Sequence, residues 1–255
     1  SRVLERCRSS IIKYGIKNPG LCDIYAKDIQ YSINYASFKV VYQDKEKQLL
    51  INTPSEFAVY NNLAVIGICL MYGVSFETII DILQDEIHIE GRYDVIKGRQ
   101  PYTAIIDYAH TPFALENLLT SVRKNESYRK IITVFGCGGD RDKTKRSAMG
   151  KISQQLSDLT IITSDNPRTE DPMNIIEDIR KGMDEHNKNY IIIEDRKDAI
   201  EYAMEIAHTD DIVIIAGKGH EKVQELNGYS IEFSDKDVVL NALHRHEFAS
   251  FHSFV

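Results

Sequence analysis

The chain has 255 residues, of which 43% are hydrophobic and 27% are charged, and its formal net charge is −7. This composition is that of a globular protein and excludes a disordered or collagen-like chain. The excess of acidic residues disfavours nucleic acid or an anionic membrane surface as a partner, because both are bound through clustered Lys and Arg.

Residues 64–74 form an apolar stretch of 11 residues, whereas about 20 are needed to cross a bilayer. No basic segment followed by an apolar core stands at the amino end, so neither a membrane span nor a signal peptide is predicted. The four cysteines are scattered and form no C-x-x-C pair, which is typical of a reduced, cytoplasmic protein. They are Cys7, Cys22, Cys69 and Cys137.

The first 90 residues combine short β-rich runs with two helical patterns. Residues 11–16, 23–30, 37–43 and 48–52 are rich in β-branched and aromatic side chains, which predicts four strands. A helical pattern then extends from residue 57 to about residue 72, with Gly73 as its predicted C-cap, and Ser75 begins a second helix. The pattern changes around Gly91, and we place a domain boundary between residues 90 and 91.

From residue 92 onward, strand and helix patterns alternate. Predicted strands lie at 104–106, 131–135, 159–163, 190–193 and 212–215. Helices are predicted between them, and a turn at Asn227-Gly228 predicts a hairpin, after which Ser234 caps a last helix. The strands are continuous apolar runs, which is typical of a parallel sheet covered by helices on both faces. The pattern predicts an open, doubly wound α/β domain.

Four unusual loops follow these strands, and in such a sheet they meet at the carboxyl edge, where ligands bind. The loops span residues 107–112, 136–141, 165–172 and 217–221. The glycines of 136–139 allow positive φ and a close backbone approach that exposes N–H groups to a ligand. Arg141 and Arg168 are suited to a carboxylate or a phosphate. Four acids could meet an ammonium group: Asp165, Glu170, Asp171 and Glu221. Together they predict a site for a small zwitterion such as an amino acid.

Each of these features also has a purely structural interpretation. Pro112 and Pro172 are suited to the first turn of a helix, with Thr111 and Asp171 as N-caps. The two arginines could form surface ion pairs with neighbouring carboxylates. The glycine loop could be a tight turn without a ligand, and it lacks the third glycine of the G-x-G-x-x-G fingerprint.

Other polar and reactive residues also have an interpretation without a function. His110 and His220 could be hydrogen-bonded loop residues, and Cys137 a small buried residue. The basic run 143–146 is interpreted as a solvated helix face. Three histidines lie in a tail that is expected to be solvated and frayed: His244, His246 and His252.

Taken in order, these motifs resemble those of the muramyl-peptide ligases, and within that family the branch that adds diaminopimelate. The resemblance extends over nearly the whole chain and is weakest at residues 20–50 and after residue 240. The motifs are G-R-Y at 91–93, D-Y-A-H-T-P at 107–112, V-F-G-C-G-G-D-R-D at 134–142, S-D-N-P-R at 164–168, E-D-P at 170–172 and A-G-K-G-H-E at 216–221.

The resemblance implies an ATP-dependent, Mg²⁺-requiring ligase of peptidoglycan precursor synthesis. ATP would activate UDP-N-acetylmuramoyl-L-alanyl-D-glutamate as an acyl phosphate, which the amine of meso-diaminopimelate attacks. Residues 1–90 resemble the end of a central ATPase-type α/β domain, and 91–255 resemble the carboxyl-terminal Rossmann-like domain. The sequence contains no G-x-x-x-x-G-K-[ST] loop. The family's catalytic lysine and magnesium ligands are expected upstream of residue 1, so we expect the chain to be inactive alone, as part of a longer enzyme.

The resemblance also implies a role for particular residues. Those expected to hold diaminopimelate are Arg141, Asp165, Asn166, Pro167, Arg168, Gly217 and Glu221. Those expected to face ATP are Asn61, Arg92, Asp107 and His110. The chain departs from the family's F-N-x-x-N segment at Ala58, which replaces the first Asn. Because L-lysine lacks the carboxylate that Arg168 would bind, Arg168 favours meso-diaminopimelate. The alternatives are a lysine-adding or folylpolyglutamate-type ligase and a non-catalytic amino-acid-binding module.

Overall fold

The computed structural model describes residues 8–32, 35–85, 89–96, 98, 100–124 and 128–252, with side chains up to residue 245. The chain divides into two compact units, residues 1–88 and 89–255. Cys7 and the side chains of His246 and His252 lie outside the described part. None of the helices within it is long and apolar enough to cross a membrane.

The first unit is a four-stranded sheet with two helices. The strands are β1 (Tyr14–Gly15), β2 (Ile24–Tyr31), β3 (Ala36–Tyr42) and β4 (Lys45–Ile51), and they lie in sequence order. β2, β3 and β4 pair antiparallel, whereas β1 pairs parallel with β2. The helices are α1 (Glu56–Met71) and α2 (Phe76–Gln84). Apolar side chains of the sheet and both helices form one core, including Ile24, Phe38, Leu49, Leu63 and Ile80. The four predicted strands and both helices are present.

The helix ends of the first unit follow from local hydrogen bonding. Gly73 follows α1 at φ +81°, a left-handed conformation that glycine adopts without steric cost. The Ser75 hydroxyl accepts from the Thr78 backbone N–H and begins α2. Both predicted helix boundaries are confirmed.

The second unit contains a six-stranded sheet in the order β5-β6-β10-β7-β8-β9. The strands are β5 (Asp94–Ile96), β6 (Thr103–Asp107), β7 (Ile131–Phe135), β8 (Leu159–Ile162), β9 (Tyr190–Ile192) and β10 (Ile212–Ala216). Five of them run parallel, but β5 pairs antiparallel with β6 at one edge. The five strands predicted from the sequence are the parallel ones. β5 was not predicted, because three residues are too few to show a strand pattern.

Helices cover both faces of this sheet, as the doubly wound fold requires. They are α3 (Pro112–Arg123), α4 (Thr144–Leu156), α5 (Pro172–Arg180), α6 (Arg196–Ile206) and α7 (Asp235–His252). In β10, Ile212 and Ile214 pack in the core of α3, α4 and α5, whereas Val213 and Ile215 pack in the core of α6 and α7. Because both faces are buried, the strand shows no polar alternation.

Three predicted caps are present in the second unit. Thr111 accepts from the Ala114 N–H before Pro112, and Asp171 accepts from the Asn174 N–H before Pro172. Ser234 accepts from the Asp237 N–H at the start of α7. Strands β11 (Val223–Leu226) and β12 (Tyr229–Glu232) form the predicted hairpin. The tail that was expected to be frayed continues α7 to His252. Within it His244 is exposed, as expected, whereas Ala242 and Leu243 are buried in the core.

Two buried glycines in the middle of helices are expected to respond with opposite sign to substitution by alanine. A Cβ at Gly150 would lie 2.2 Å from the Ile179 carbonyl oxygen, so Gly150→Ala must move α5 and should cost about 1–3 kcal/mol. A Cβ at Gly67 would lie 3.5 Å from Ile12 and Ile24, which is ordinary contact, so Gly67→Ala should stabilise by about 0.5–1 kcal/mol. Urea unfolding of both variants measures the difference, and an equal shift in the same direction would contradict it.

Candidate functional site

The loops that follow four parallel strands meet at the carboxyl edge of the six-stranded sheet. The backbone N–H of Gly217, after β10, donates to the Asp107 carbonyl oxygen at the end of β6, at 3.0 Å. The N–H of Gly139, after β7, donates to the carbonyl oxygen of Asn166, after β8, at 2.8 Å. A Cβ at Gly217 would lie 2.8 Å from Oδ2 of Asp165. Because β10 lies between β6 and β7, loops far apart in sequence become neighbours.

The glycines after β7 are required by close backbone contact. A Cβ at Gly136 would lie 2.3 Å from the Thr163 carbonyl oxygen, and one at Gly139 would lie 1.9 Å from that of Pro167. Of the two properties that these glycines allow, the structure uses the close backbone approach, since none of them has φ between +20° and +160°. Any larger residue at these two positions would push the loops after β7 and β8 apart.

The two arginines expected at the site both lie close to Gly138. A Cβ there would lie 3.0 Å from Nη1 of Arg168 and 3.7 Å from Cγ of Arg141. Arg168 donates from Nη1 to the Gly139 carbonyl oxygen at 2.8 Å, and its Nε contacts the Glu225 carboxylate. Arg168 also has φ +52°, a conformation uncommon for a residue with a Cβ. Its orientation is therefore held by the surrounding loops.

A buried hydrogen-bond network joins the loop after β8 to the loop after β10. Nδ2 of Asn166 donates to Oε2 of Glu221 at 2.9 Å, and the ammonium group of Lys218 donates to both residues. Oδ1 of Asp165 accepts from the Asn166 N–H at 2.7 Å. The pKa of Glu221 is lowered: burial opposes the charge, but the hydrogen bond and charge of Lys218, the Asn166 amide and nearby Arg168 outweigh it. The sequence analysis missed Lys218, since the G-K-G-H-E motif does not show that its lysine is buried.

Two of the acids expected to meet an ammonium group have other roles. Glu170 pairs with Arg146 through both carboxylate oxygens and with Lys143 at 2.9 Å, and it also accepts from the Asp140 N–H. Asp171 is the N-cap of α5. Both carboxylates thus have a structural role, whereas Asp165 and Glu221 lie in the network between the loops after β8 and β10.

The interpretation of residues 143–146 as a solvated helix face is wrong for Arg146. Its side chain is 1% exposed and donates to Glu170, to Asp178 at 3.0 Å and to the Gly138 carbonyl oxygen at 3.3 Å. Arg146 therefore ties the loop after β7 to the loop after β8. The sequence held no signal that separates this arginine from the exposed residues beside it.

A second buried ion pair, also missed, lies beneath the loops. Arg196 pairs with Asp235 through two hydrogen bonds of 2.8 Å, and neither side chain is exposed. The same guanidinium donates to the Ser164 and Ala216 carbonyl oxygens at 3.3 and 3.1 Å. It therefore fixes the points at which the loops after β8 and β10 leave the sheet.

Residues expected to face a nucleotide form a separate cluster around Tyr108. The Arg92 guanidinium carbon lies 4.3 Å from the centre of the Tyr108 ring. The rings of His110 and His220 lie 4.5 and 5.4 Å from that ring. Such a grouping of cationic and aromatic groups is suited to an anionic ligand with a flat ring.

Asp107 holds this cluster from beneath. Its two carboxylate oxygens accept from the backbone N–H groups of Tyr93 and Ala109, both at 2.8 Å. Burial raises the pKa of Asp107, against these two hydrogen bonds and the charges of Arg92 and His110, which favour the ionised form. Asn61 lies in the first unit, exposed on α1. Within the described residues, no group of three or more His, Cys, Asp or Glu is arranged to hold a metal ion.

With this geometry in place, comparison with known proteins identifies the class of protein. Residues 91–219 match the family model described as Mur ligase, glutamate ligase domain, which covers half of the chain. The protein belongs to the Mur ligase family.

Individual relatives show which members of the family this chain is similar to. The chain is 41% identical over 240 residues to the UDP-N-acetylmuramoyl-L-alanyl-D-glutamate–2,6-diaminopimelate ligase of Clostridium botulinum, across 93% of this chain and 49% of that protein. It is 46% identical over 230 residues to the enzyme of the same name from Alkaliphilus oremlandii, across 90% and 47%. A solved structure of a ligase with this name matches at 34% identity and a TM-score of 0.63, across 95% and 49%. The chain thus spans about half the length of the curated relatives it matches.

The ion pairs of Glu170 are expected to make stability fall in acid. They lower the pKa of Glu170 from 4.5 to about 2, so the carboxylate stabilises the fold fully above pH 4.5 and loses this effect as the pH falls through about 2. Glu170→Gln should cost about 2 kcal/mol of the free energy of unfolding at pH 7 and much less at pH 2. Urea unfolding of both proteins from pH 7 to pH 2 measures this loss in the free energy of unfolding. Glu116→Gln, at an exposed position on α3, is the control, and an equal loss at both pH values would contradict the prediction.

Proposed function

We propose that this chain is part of an ATP-dependent, ADP-forming ligase of the cytoplasm. The enzyme would add meso-diaminopimelate to UDP-N-acetylmuramoyl-L-alanyl-D-glutamate in peptidoglycan precursor synthesis. Residues 1–90 would belong to a central ATP-binding domain, and 91–255 would form the domain that binds the amino acid. The observation that carries the proposal is the arrangement of Arg141, Arg168 and the Asn166–Glu221 pair on adjoining loops, in a chain 41–46% identical to ligases of that name.

The charges of this edge suit the two ends of diaminopimelate, each of which carries a carboxylate and an ammonium group. Arg168 has Nε and Nη1 engaged by Glu225 and Gly139, so Nη2 is the nitrogen of the fork that it can offer to the distal carboxylate. Arg141 is exposed and can contact a second carboxylate. Glu221 and Asp165 supply the negative charge for an ammonium group.

The remaining two positions proposed from the sequence act through the backbone. Pro167 places its carbonyl oxygen against Gly139, and Gly217 leaves room for the Asp165 carboxylate. A side chain at Gly139 or Gly217 would displace Asp165 and Arg168 from their positions. We therefore assign Pro167 and Gly217 to the shape of the amino-acid site.

The cluster around Tyr108 is proposed to contact ATP. Asn61, on α1, is proposed separately as an ATP-binding residue, from the resemblance of its segment alone. Arg92 can pair with a phosphate, and His110 and the Tyr108 ring border the same surface. Asp107 would fix the backbone beneath this surface by accepting hydrogen bonds from the Tyr93 and Ala109 N–H groups. The described residues contain no ligand set for Mg²⁺, and we assign no step to the metal here.

The reaction places one demand on this half of the enzyme. ATP phosphorylates the γ-carboxylate of the nucleotide substrate; the amine of diaminopimelate, after losing a proton, forms the new C–N bond, and the C–O bond to phosphate breaks. The amino-acid site must therefore hold one amine toward the acyl phosphate while gripping the other end of the molecule. Correct placement of two reactants supplies a large part of the rate of such a reaction.

Arg168→Ala is expected to remove the preference for diaminopimelate over L-lysine. Without its cation, the distal carboxylate of diaminopimelate would be desolvated without a partner, which costs about 2–5 kcal/mol and corresponds to a loss of at least about 30-fold in relative kcat/KM. The measurement is ligase activity of the full-length protein with each amino acid.

Arg123→Ala is the matched control. Its guanidinium is also partly exposed and also pairs with one carboxylate and one carbonyl oxygen, but near the amino end of β8. It should leave the preference unchanged. A full preference for diaminopimelate in Arg168→Ala would refute the assigned role. Preferential addition of lysine by the unchanged protein would favour a lysine-adding ligase, and binding without turnover would favour a non-catalytic module.

A further inference from the structure

Lys218 is fully buried although it carries a charge. Its ammonium group donates to Oδ1 of Asn166 at 2.8 Å, to Oε2 of Glu221 at 2.9 Å and to the Val223 carbonyl oxygen at 2.7 Å. A lysine ammonium group has three donors, so each of them has an acceptor. Lys218 therefore has no donor left for a substrate, and it touches two residues that are proposed to hold one.

The contact with Lys218 determines which way the Asn166 amide faces. Oδ1 accepts from Lys218 and from the Glu225 backbone N–H at 3.1 Å, while Nδ2 donates to Glu221. A reversed amide would place its NH₂ group against two donors and its oxygen against a carboxylate. The position of the lysine therefore leaves one favourable orientation for Asn166.

Lys218 and Asn166 also restrict the Glu221 carboxylate. Both of them bind Oε2, whereas Oε1 forms no hydrogen bond with any of the described residues. The Glu221 side chain is 29% exposed, so this group lies at the surface of the site and not within the core. A carboxylate held through one oxygen presents the other in a fixed direction, which reduces the entropy lost when a ligand binds.

We propose that Lys218 is a positioning residue for the amino-acid substrate, and that it acts by turning Oε1 of Glu221 toward an ammonium group. The inference rests on the proposed function, because it concerns the same site. It extends that function by assigning ammonium recognition to a group of three residues, of which the lysine never contacts the substrate.

The competing role for Lys218 is a structural one. A buried cation with three acceptors could serve only to hold the loop after β10 in place, and its removal would leave a carboxylate without a partner. Loss of stability or of total activity would fit both roles. If replacing Lys218 changes only KM for the amino acid, and only when Glu221 is present, the result fits positioning and not a structural role.

The test is a double-mutant cycle on the full-length ligase with meso-diaminopimelate. Lys218→Met should raise KM for diaminopimelate about tenfold, with kcat and KM for ATP changed less than about twofold, because binding of the amino acid alone is weakened. In a Glu221→Gln background, the same substitution should raise that KM by about twofold or less, because the group through which the lysine acts is already altered.

Lys222→Met is the matched control. This lysine lies one residue beyond Glu221, its side chain is 71% exposed, and its ammonium group lies 3.9 Å from the Glu90 carboxylate. It should leave KM for diaminopimelate within about twofold of the unchanged protein. If Lys218→Met does not fold, Lys218→Gln replaces it, since glutamine retains two donors and adds no charge.

The outcomes separate the two proposals. If the unchanged protein does not use diaminopimelate, the proposed function fails. If it does and Lys218→Met leaves that KM unchanged, the positioning role is overturned. A tenfold rise in KM for diaminopimelate both in the unchanged protein and in Glu221→Gln would make the role of Lys218 structural and overturn the positioning role. Failure of both Lys218 variants to fold would do the same. A tenfold rise in this KM that is absent in the Glu221→Gln background supports the positioning role.

Discussion

Close backbone contact between the loops after β7 and β8 is the constraint on which the candidate site depends. The Pro167 carbonyl oxygen occupies the place that a Cβ of Gly139 would take, and the Thr163 carbonyl oxygen does the same at Gly136. Only because these backbones touch can Arg168 reach the Gly139 carbonyl oxygen and lie close to Gly138, as Arg141 does. Atomic repulsion at these two positions rises so steeply that glycine is required there.

Three buried cations add to this constraint, and each connects segments distant in sequence. Arg146 joins the loops after β7 and β8, while Lys218 joins those after β8 and β10. Arg196, paired with Asp235, holds the ends of β8 and β10 from beneath. Burying a charge is costly unless its hydrogen-bonding groups are satisfied, so such pairs add less to stability than their number suggests. Their effect here is a definite orientation of the loops, which is what recognition of a small zwitterion requires.

For the arginines and acids of these loops, the ligand-binding interpretation and the purely structural one each describe some of the residues. Glu170 and Asp171 have the structural roles of ion pair and helix cap. Arg168 does pair with a neighbouring carboxylate, as the structural alternative expected, yet this contact and the one with Gly139 also hold its guanidinium at the rim. A structural contact and a binding role are compatible for a side chain with five donors.

The strands, the helix caps and the convergence of the loops could be predicted from the sequence, because they follow from local patterns. Continuous apolar runs, without alternating polar residues, indicate strands that are buried on both faces. Thr or Asp directly before Pro indicates the start of a helix. These rules depend on neighbours within a few residues. They placed β6, β7, β8 and β10 correctly, and with them the edge at which ligands bind. They missed β5, whose three residues become a strand only by pairing with β6.

By itself, the sequence determined the fold class, the order of the elements and which loops share an edge, since periodicity and capping are read within one segment. Tertiary structure alone decided which charges are buried and which oxygen of Glu221 is held. It also decided that the glycines after β7 provide closeness and not positive φ. The physical reason is that burial and hydrogen-bond partners depend on residues 24 to 55 positions away, as for Arg146 with Glu170 and Asn166 with Glu221. No local pattern carries that information.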